Sequence, residues 1–269
     1  MSEPDYTSTY AKLERAEEHF ELLQFEITQW HNACKHTFTI ERGAYDTRVG
    51  LVIHMGGPDP KFLRWTLMVG DCINNARAAL EHMVYAIGQY EAVKNPTGDH
   101  KWNQFVIVDV PTDFDGEAKR RLKCFTPAVL AAIEGIQPFN RPHPILPPLL
   151  GILRRFSNAD KHRLLKLAAS GVSTGNGVFV GTKGGGRKFF YVLPNEVEDN
   201  DIICFIESDQ PDPNLNFQGI QVSLEVCLWH GLRDGETNPM YQRSPYSVLL
   251  PALLSEVKFV IQSVKAAVI

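Results

Sequence analysis

Cysteine is scarce in this chain and shows none of the spacings that bind zinc or build a disulfide framework. The five cysteines are an odd number and include no Cys-x-x-Cys pair, which favours reduced thiols in a cytoplasmic protein. Residues 31–36 read His-x-x-Cys-x-His, which matches no zinc module, so we predict a structural role for them. A site built from Glu81, His82, Asp160 and His162 also lacks metal-binding spacing, and no metal is predicted.

Long apolar runs are absent as well. The two most apolar stretches, 145–153 and 248–254, contain proline and fall short of the ~20 residues that span a bilayer. The first residues are acidic and polar, which predicts no signal peptide. With 27 Lys+Arg against 31 Asp+Glu, the net charge is −4, which argues against a DNA-coating protein. We therefore expect a cytoplasmic protein that has no membrane partner.

The common signatures of covalent and cofactor chemistry are missing too. No GxSxG nucleophile elbow occurs. The glycine cluster at 181–186 lacks the Lys-Ser/Thr and the following helix of a phosphate loop, which predicts a hairpin turn instead. No cofactor is predicted. The 44% hydrophobic and 22% charged composition is that of an ordinary globular protein.

Hydrophobic periodicity predicts the secondary structure. An apolar residue at every third or fourth position, with proline and capping signals, predicts helices at 10–30, 60–90, 114–122, 127–136, 149–167 and 250–267. Alternating or β-branched runs predict strands at 37–41, 48–54, 105–110, 202–207 and 219–229, with two more inside 172–192. The longest helix carries a continuous apolar stripe, made by Trp65, Val69, Cys72, Ile73, Ala76, Leu80, Met83 and Ile87.

Strands and helices do not alternate regularly in this order, which favours an α+β fold over a doubly wound sheet. We expect a layer of about five helices packed on an antiparallel sheet in a single domain spanning residues 1–269. The alternative is a mainly helical part at 1–170 followed by a β-rich part at 171–269 that ends in a helix.

Polar residues of the long helix form a first candidate site. At ~100° per residue, Asn74, Arg77 and Glu81 share one flank. His82 lies on the other flank, ~140° from Arg77. In a purely structural interpretation, these residues form a polar helix face. Arg77 then forms an ion pair with Glu81, and His82 is a hydrogen-bonded residue at the edge of the apolar stripe.

The Arg77-x4-His82 spacing resembles the signature of the HEPN superfamily, whose members are helical domains that include metal-independent ribonucleases of toxin and defence systems. The resemblance implies catalytic roles for Arg77 at the scissile phosphate and for His82 in proton transfer. It also implies RNA as a partner and a homodimer, because a second protomer would have to bring the two side chains together.

Residues 157–163, Ser-Asn-Ala-Asp-Lys-His-Arg, form the second candidate site. If the helix continues to 167, Asp160 and Arg163 fall on its apolar stripe, where charges must be paired or serve a site. One interpretation is a buried polar network that joins Asp160 and Arg163 to the long helix through Asn74, Arg77 or His82. The other is that Ser157, Asn158 or Asp160 ends one helix and caps the next. We include Asn158 and His162 among the candidate binding residues.

The sequence at 74–82, with Gln-Pro-Phe at 137–139 and Asn-Ala-Asp-Lys-His-Arg at 158–163, also resembles a widespread prokaryotic family that shares LRSALDHLV-like and DKHR motifs. This resemblance spans about residues 67–168 and implies no activity by itself. The small basic clusters at 119–121 and 154–155 favour solvated faces and are places where an RNA backbone would dock.

Two functions follow as expectations. The first is a HEPN-like endoribonuclease that uses Arg77 and His82. The second is a non-catalytic protein that binds a small ligand, or a structural protein whose polar residues form a buried clasp.

Overall fold

The structure, a computed structural model, describes residues 3–94, 103–141, 148–161, 165–174, 178–180, 187–191, 197–218, 222–229 and 243–268. Six α-helices lie in these ranges. They are α1 (Thr7–Ala33), α2 (Phe62–Lys94), α3 (Pro111–Arg121), α4 (Pro127–Gly135), α5 (Leu149–Asp160) and α6 (Tyr246–Ala266).

Nine strands lie in the same ranges. They are β1 (Thr37–Arg42), β2 (Arg48–His54), β3 (Leu167–Thr174), β4 (Val178–Val180), β5 (Arg187–Tyr191), β6 (Ile202–Ser208), β7 (Asn216–Gln218), β8 (Val222–Trp229) and β9 (Arg243–Pro245). The pairs β1–β2, β2–β6, β5–β6, β3–β8 and β4–β7 are all antiparallel. Together with the helices, these pairs confirm the α+β class.

The chain forms two compact units, each built from separated segments. The helical unit comprises residues 1–24, 63–165 and 229–269, and the sheet unit comprises residues 25–62 and 166–228. Helix α1 therefore begins in the helical unit and ends in the sheet unit.

Burial in the helical unit follows the predicted periodicity. Every residue of the predicted α2 stripe is buried, and α6 buries the predicted face of Leu253, Val257, Val260, Ile261 and Val264. Helix α6 packs against α4 and α5. By length and composition alone, α6 is also long and apolar enough to cross a membrane. A buried core helix passes the same test, and 44% of the most apolar 18-residue stretch of α6 is buried.

The sheet unit is organised around β2. Its main sheet has the order β1-β2-β6-β5, and β2 pairs with β6 through a register that places Leu51 opposite Cys204. Side chains of β2, β6, β7 and β8 form one buried cluster with Val197 and Leu215. Four of the seven β2 residues are large buried hydrophobics, which is why this strand is central rather than at an edge.

One predicted strand and one predicted helix end are wrong. Residues 105–110 have the composition of a strand, but within the described ranges they pair with no strand. Side chains of Arg77 and Glu81 in α2, and of Gln137 just after α4, bond to backbone groups of this segment instead. Helix α5 ends at Asp160 and not at 167. Asn158 and Asp160 are weak helix formers, and Leu167 already belongs to β3. The glycine cluster at 181–186 lies outside the described residues.

Candidate functional site

An open cleft of about 1050 Å³ lies in the helical unit. Its walls come from the middle of α2, the extended segment 104–108, helix α3 and the C-terminal half of α5. Seven charged side chains line it, namely Arg77, Glu81, Asp113, Glu117, Arg121, Arg154 and Lys161. The cleft thus contains three of the predicted site residues on α2, namely Asn74, Arg77 and Glu81, among a larger set of charges.

A polar clasp on α2 fixes the extended segment along one wall of the cleft. Arg77 Nη2 donates to a Glu81 carboxylate oxygen at 2.5 Å and to the Phe105 carbonyl oxygen at 2.6 Å. The other Glu81 oxygen accepts from the Phe105 backbone N–H at 2.8 Å. The expected i,i+4 ion pair is therefore present, and it binds both polar backbone groups of Phe105. Buried backbone groups must find hydrogen-bond partners. The Arg77–Glu81 pair supplies to Phe105 the two hydrogen bonds that a neighbouring strand would otherwise supply.

Gln137 completes the clasp further along the segment. Its side-chain Nε2 donates to the carbonyls of Val106 and Ile133, and its Oε1 accepts from the Val108 N–H, all at 2.9–3.0 Å. The residue is fully buried. Side chains therefore hold the segment at Phe105, Val106 and Val108, which leaves no need for a β-ladder.

A second contact joins α2 to the end of α5. Asn74 Nδ2 donates to Asp160 Oδ2 at 2.6 Å. A Cβ atom on Gly70 would lie only 2.5 Å from Asp160 Oδ1, so an alanine at this position would force the Asp160 carboxylate to shift. The structure thus brings Asp160 to the long helix through Asn74, as the network interpretation expected for Asp160. It also ends α5 at Asp160, as the other interpretation expected.

The electrostatics of the cleft centre on Arg77. Burial lowers the pKa of its guanidinium, and the charge and hydrogen bond of Glu81 oppose that effect. The positive charges of Arg121 and Arg154 lower the pKa of Arg77 further. All three guanidinium groups line the cleft. Arg77 Nη1 is buried without a hydrogen-bond partner among the described residues.

Of four other predicted site residues, one lines the cleft, one lies outside it, and two fall outside the described residues. Asn158 is exposed and lines the cleft beside Lys161. His82 is half-buried and is not among the cleft-lining residues, so within one chain Arg77 and His82 do not share the cleft. His162 and Arg163 lie outside the described residues.

Several residues of the cleft were not among the predicted site residues. Arg154 pairs with Asp109, and Arg121 pairs with Glu117 at 2.6 Å. The only sequence signal for the two arginines is their place in the small basic clusters. Gln137 entered the sequence analysis only as part of the Gln-Pro-Phe motif at 137–139, because a hydrogen bond to a distant backbone leaves no local pattern.

Two further features concern metal ligands and the cysteine of α2. No group of three or more His, Cys, Asp or Glu residues that could hold a metal ion occurs in the ranges that the structure describes. Burial raises the pKa of the Cys72 thiol to about 12, which agrees with an inert core cysteine. A scan against family models finds no match, and neither do searches of curated proteins and of solved structures.

Proposed function

We propose that the chain is a ligand-binding protein whose cleft holds a small phosphate-bearing molecule without turning it over. The observation that carries this proposal is the convergence of Arg77, Arg121 and Arg154 on one open cleft. Guanidinium forks match phosphate oxygens, and a multivalent anion can bind more than one of them at once.

Arg121, Arg154 and Lys161 are available to a ligand at little cost. The Arg154–Asp109 and Arg121–Glu117 pairs are each about one-third to one-half exposed, and exposed pairs of this kind contribute about 0–1 kcal/mol. Lys161 is exposed at the end of α5 and has no ion-pair partner within the described ranges. A phosphate dianion can therefore replace a carboxylate partner or bind Lys161 directly.

The carboxylates of the cleft narrow the ligand class. Glu81, Asp113 and Glu117 also line the cleft, and ionised carboxylates accept hydrogen bonds but donate none. A ligand that fits both sets of charges carries hydroxyl donors beside its phosphate. A phosphorylated sugar or polyol has this combination.

Titration calorimetry with ribose 5-phosphate at low salt tests the proposal. We expect binding by the wild-type chain, and about tenfold weaker binding after Lys161→Gln, as loss of one charge-assisted contact predicts. Lys119→Gln is the matched control, because Lys119 is an exposed lysine of α3 outside the cleft lining. Absence of binding at millimolar ligand, or equal weakening by both variants, would contradict the proposal.

A second candidate is the HEPN-like endoribonuclease. The observation that favours it is the guanidinium of Arg77, which lines the cleft and has one buried nitrogen without a described partner. Because His82 is not in the same cleft, this proposal requires a homodimer in which the partner protomer provides the histidine.

Incubation with total RNA, beside a His82→Ala variant, tests the second candidate. Cleavage by the wild-type chain and loss of cleavage in the variant would support it, and a dimer should be seen by light scattering. Intact RNA in both samples, or equal degradation by both, would refute the catalytic roles of Arg77 and His82. Binding of an oligoribonucleotide without cleavage would point back to phosphate recognition alone.

A further inference from the structure

A second hollow of about 440 Å³ lies in the helical unit, away from the cleft. One wall is the segment that leads into α1, with Glu3 and Asp5, and the other is the C-terminal half of α2, with Tyr85, Tyr90 and Val93. Tyr85 is 60% exposed and Val93 is 75% exposed, so large apolar groups face solvent here. We name this hollow the tyrosine groove.

The groove combines aromatic rings with negative charge. Among the described residues, no Lys, Arg or His side chain lines it. The Asp5 carboxylate accepts a hydrogen bond from the Thr7 backbone N–H at 2.9 Å. Faces of tyrosine rings attract cations, and a nearby carboxylate strengthens this attraction. The groove is therefore complementary to a group that is both positively charged and apolar.

An ammonium group of the chain itself already uses one of these rings. Lys94 Nζ lies 4.0 Å from the centroid of the Tyr90 ring, within the distance of a cation–π contact. Lys94 does not line the groove, whereas Tyr90 does. Lys94 follows Tyr90 by four residues on α2, so this contact is local to the helix and lies outside the groove. It shows that the Tyr90 ring accepts an alkylammonium on its face.

We propose that the tyrosine groove is a binding site for a ligand with an alkylammonium group, which Tyr85 holds by its ring face and Glu3 by its carboxylate. The volume is at the lower end of the range for small-molecule pockets and exceeds that of an ammonium head group. The groove therefore takes the group together with the chain that carries it. This site does not depend on the phosphate proposal, because the two hollows share no lining residue.

Ligand-observed NMR and calorimetry on the full chain test the proposal with three probes. Choline supplies the charged group, and its neutral isostere 3,3-dimethyl-1-butanol has the same shape without charge. Nα-acetyl-lysine amide represents a lysine side chain of a peptide. We expect choline or the lysine amide to bind at least fivefold more tightly than the neutral alcohol. The preferred probe then identifies a small amine or a peptide as the source of the ammonium.

Variants locate the site. Tyr85→Leu should weaken binding of the preferred probe about fivefold, since it removes an exposed cation–π partner, and Glu3→Gln should weaken it less. Tyr10→Leu is the matched control, an exposed tyrosine of α1 that does not line the groove. Lys94→Met should leave binding unchanged, because Lys94 does not line the groove, and a loss of affinity in this variant would contradict the placement of the site.

Three results would overturn the proposal. Equal affinity for choline and the neutral alcohol would show an apolar hollow without charge selection. Equal affinity of the wild-type chain and Tyr85→Leu, with melting temperatures also equal, would place binding elsewhere. Absence of binding by all three probes would show that the groove takes no ammonium ligand.

Discussion

The clasp on the extended segment leads to a quantitative prediction for Gln137. Its side chain makes three buried hydrogen bonds, to the carbonyls of Val106 and Ile133 and from the N–H of Val108. Substitution by leucine keeps the approximate volume but leaves those backbone groups without partners. At about 1 kcal/mol for each hydrogen bond, we expect a loss of about 3 kcal/mol in the free energy of unfolding. At about 2–4 °C per kcal/mol, the melting temperature should fall by about 6–12 °C.

Thermal and urea unfolding followed by circular dichroism measure this loss. The matched control is Gln24→Leu, an exposed glutamine in α1, which should change the melting temperature by no more than about 2 °C. Gln137→Glu adds a second test, because a carboxylate still accepts from Val108 but cannot donate to Val106 or Ile133. If Gln137→Leu is as stable as the control, the segment does not depend on this side chain and the account of the clasp is wrong.

Three further predictions concern other parts of the chain. Gly70→Ala should destabilise the fold by about 1–3 kcal/mol through its clash with Asp160, and Asp160→Ala should relieve part of that cost; equal costs in both backgrounds would refute the contact. Burial lowers the pKa of both His31 and His36. The charge of His36 lowers the pKa of His31 further. The unfolded chain therefore binds more protons at these two histidines than the folded chain does. The contribution of the histidines to the free energy of unfolding is present at neutral pH and is lost as the pH falls below about 6.5. Urea titrations of the wild type and a His31→Gln/His36→Gln variant should diverge at neutral pH and converge at lower pH. Native Cys72 should resist iodoacetamide at pH 8 and react after denaturation, which mass spectrometry detects; rapid native labelling would contradict its burial.

The helices were predictable because each is a local pattern. The stripe of α2 repeats over many turns, and a long amphipathic period has few alternative interpretations. The Arg77–Glu81 pair follows from the same geometry, since an i,i+4 spacing brings two side chains together on any helix. The contact of Asp160 with Asn74 was one expected arrangement, because a carboxylate near an apolar stripe needs a partner.

The errors occurred where distant residues take over a local role. Residues 105–110 have strand composition, yet Arg77, Glu81 and Gln137 supply the hydrogen bonds that a neighbouring strand would supply. The end of α5 could not be placed by periodicity, because the apolar spacing continues towards residue 167 after the helix stops at Asp160. The separation of His82 from the cleft was foreseeable from its angle to Arg77, whereas the presence of Arg121 and Arg154 there was not.

By itself, the amino-acid order determined the helical stripes, the α+β class and the polar flank of α2, because these depend on spacing within a few turns. Only the tertiary structure decided that Arg77 and Glu81 bind the backbone of Phe105, and that arginines from α3 and α5 meet Arg77 at one cleft. The physical reason is that hydrogen bonds and charges between distant segments depend on how whole helices pack, and packing leaves no periodic trace in the chain.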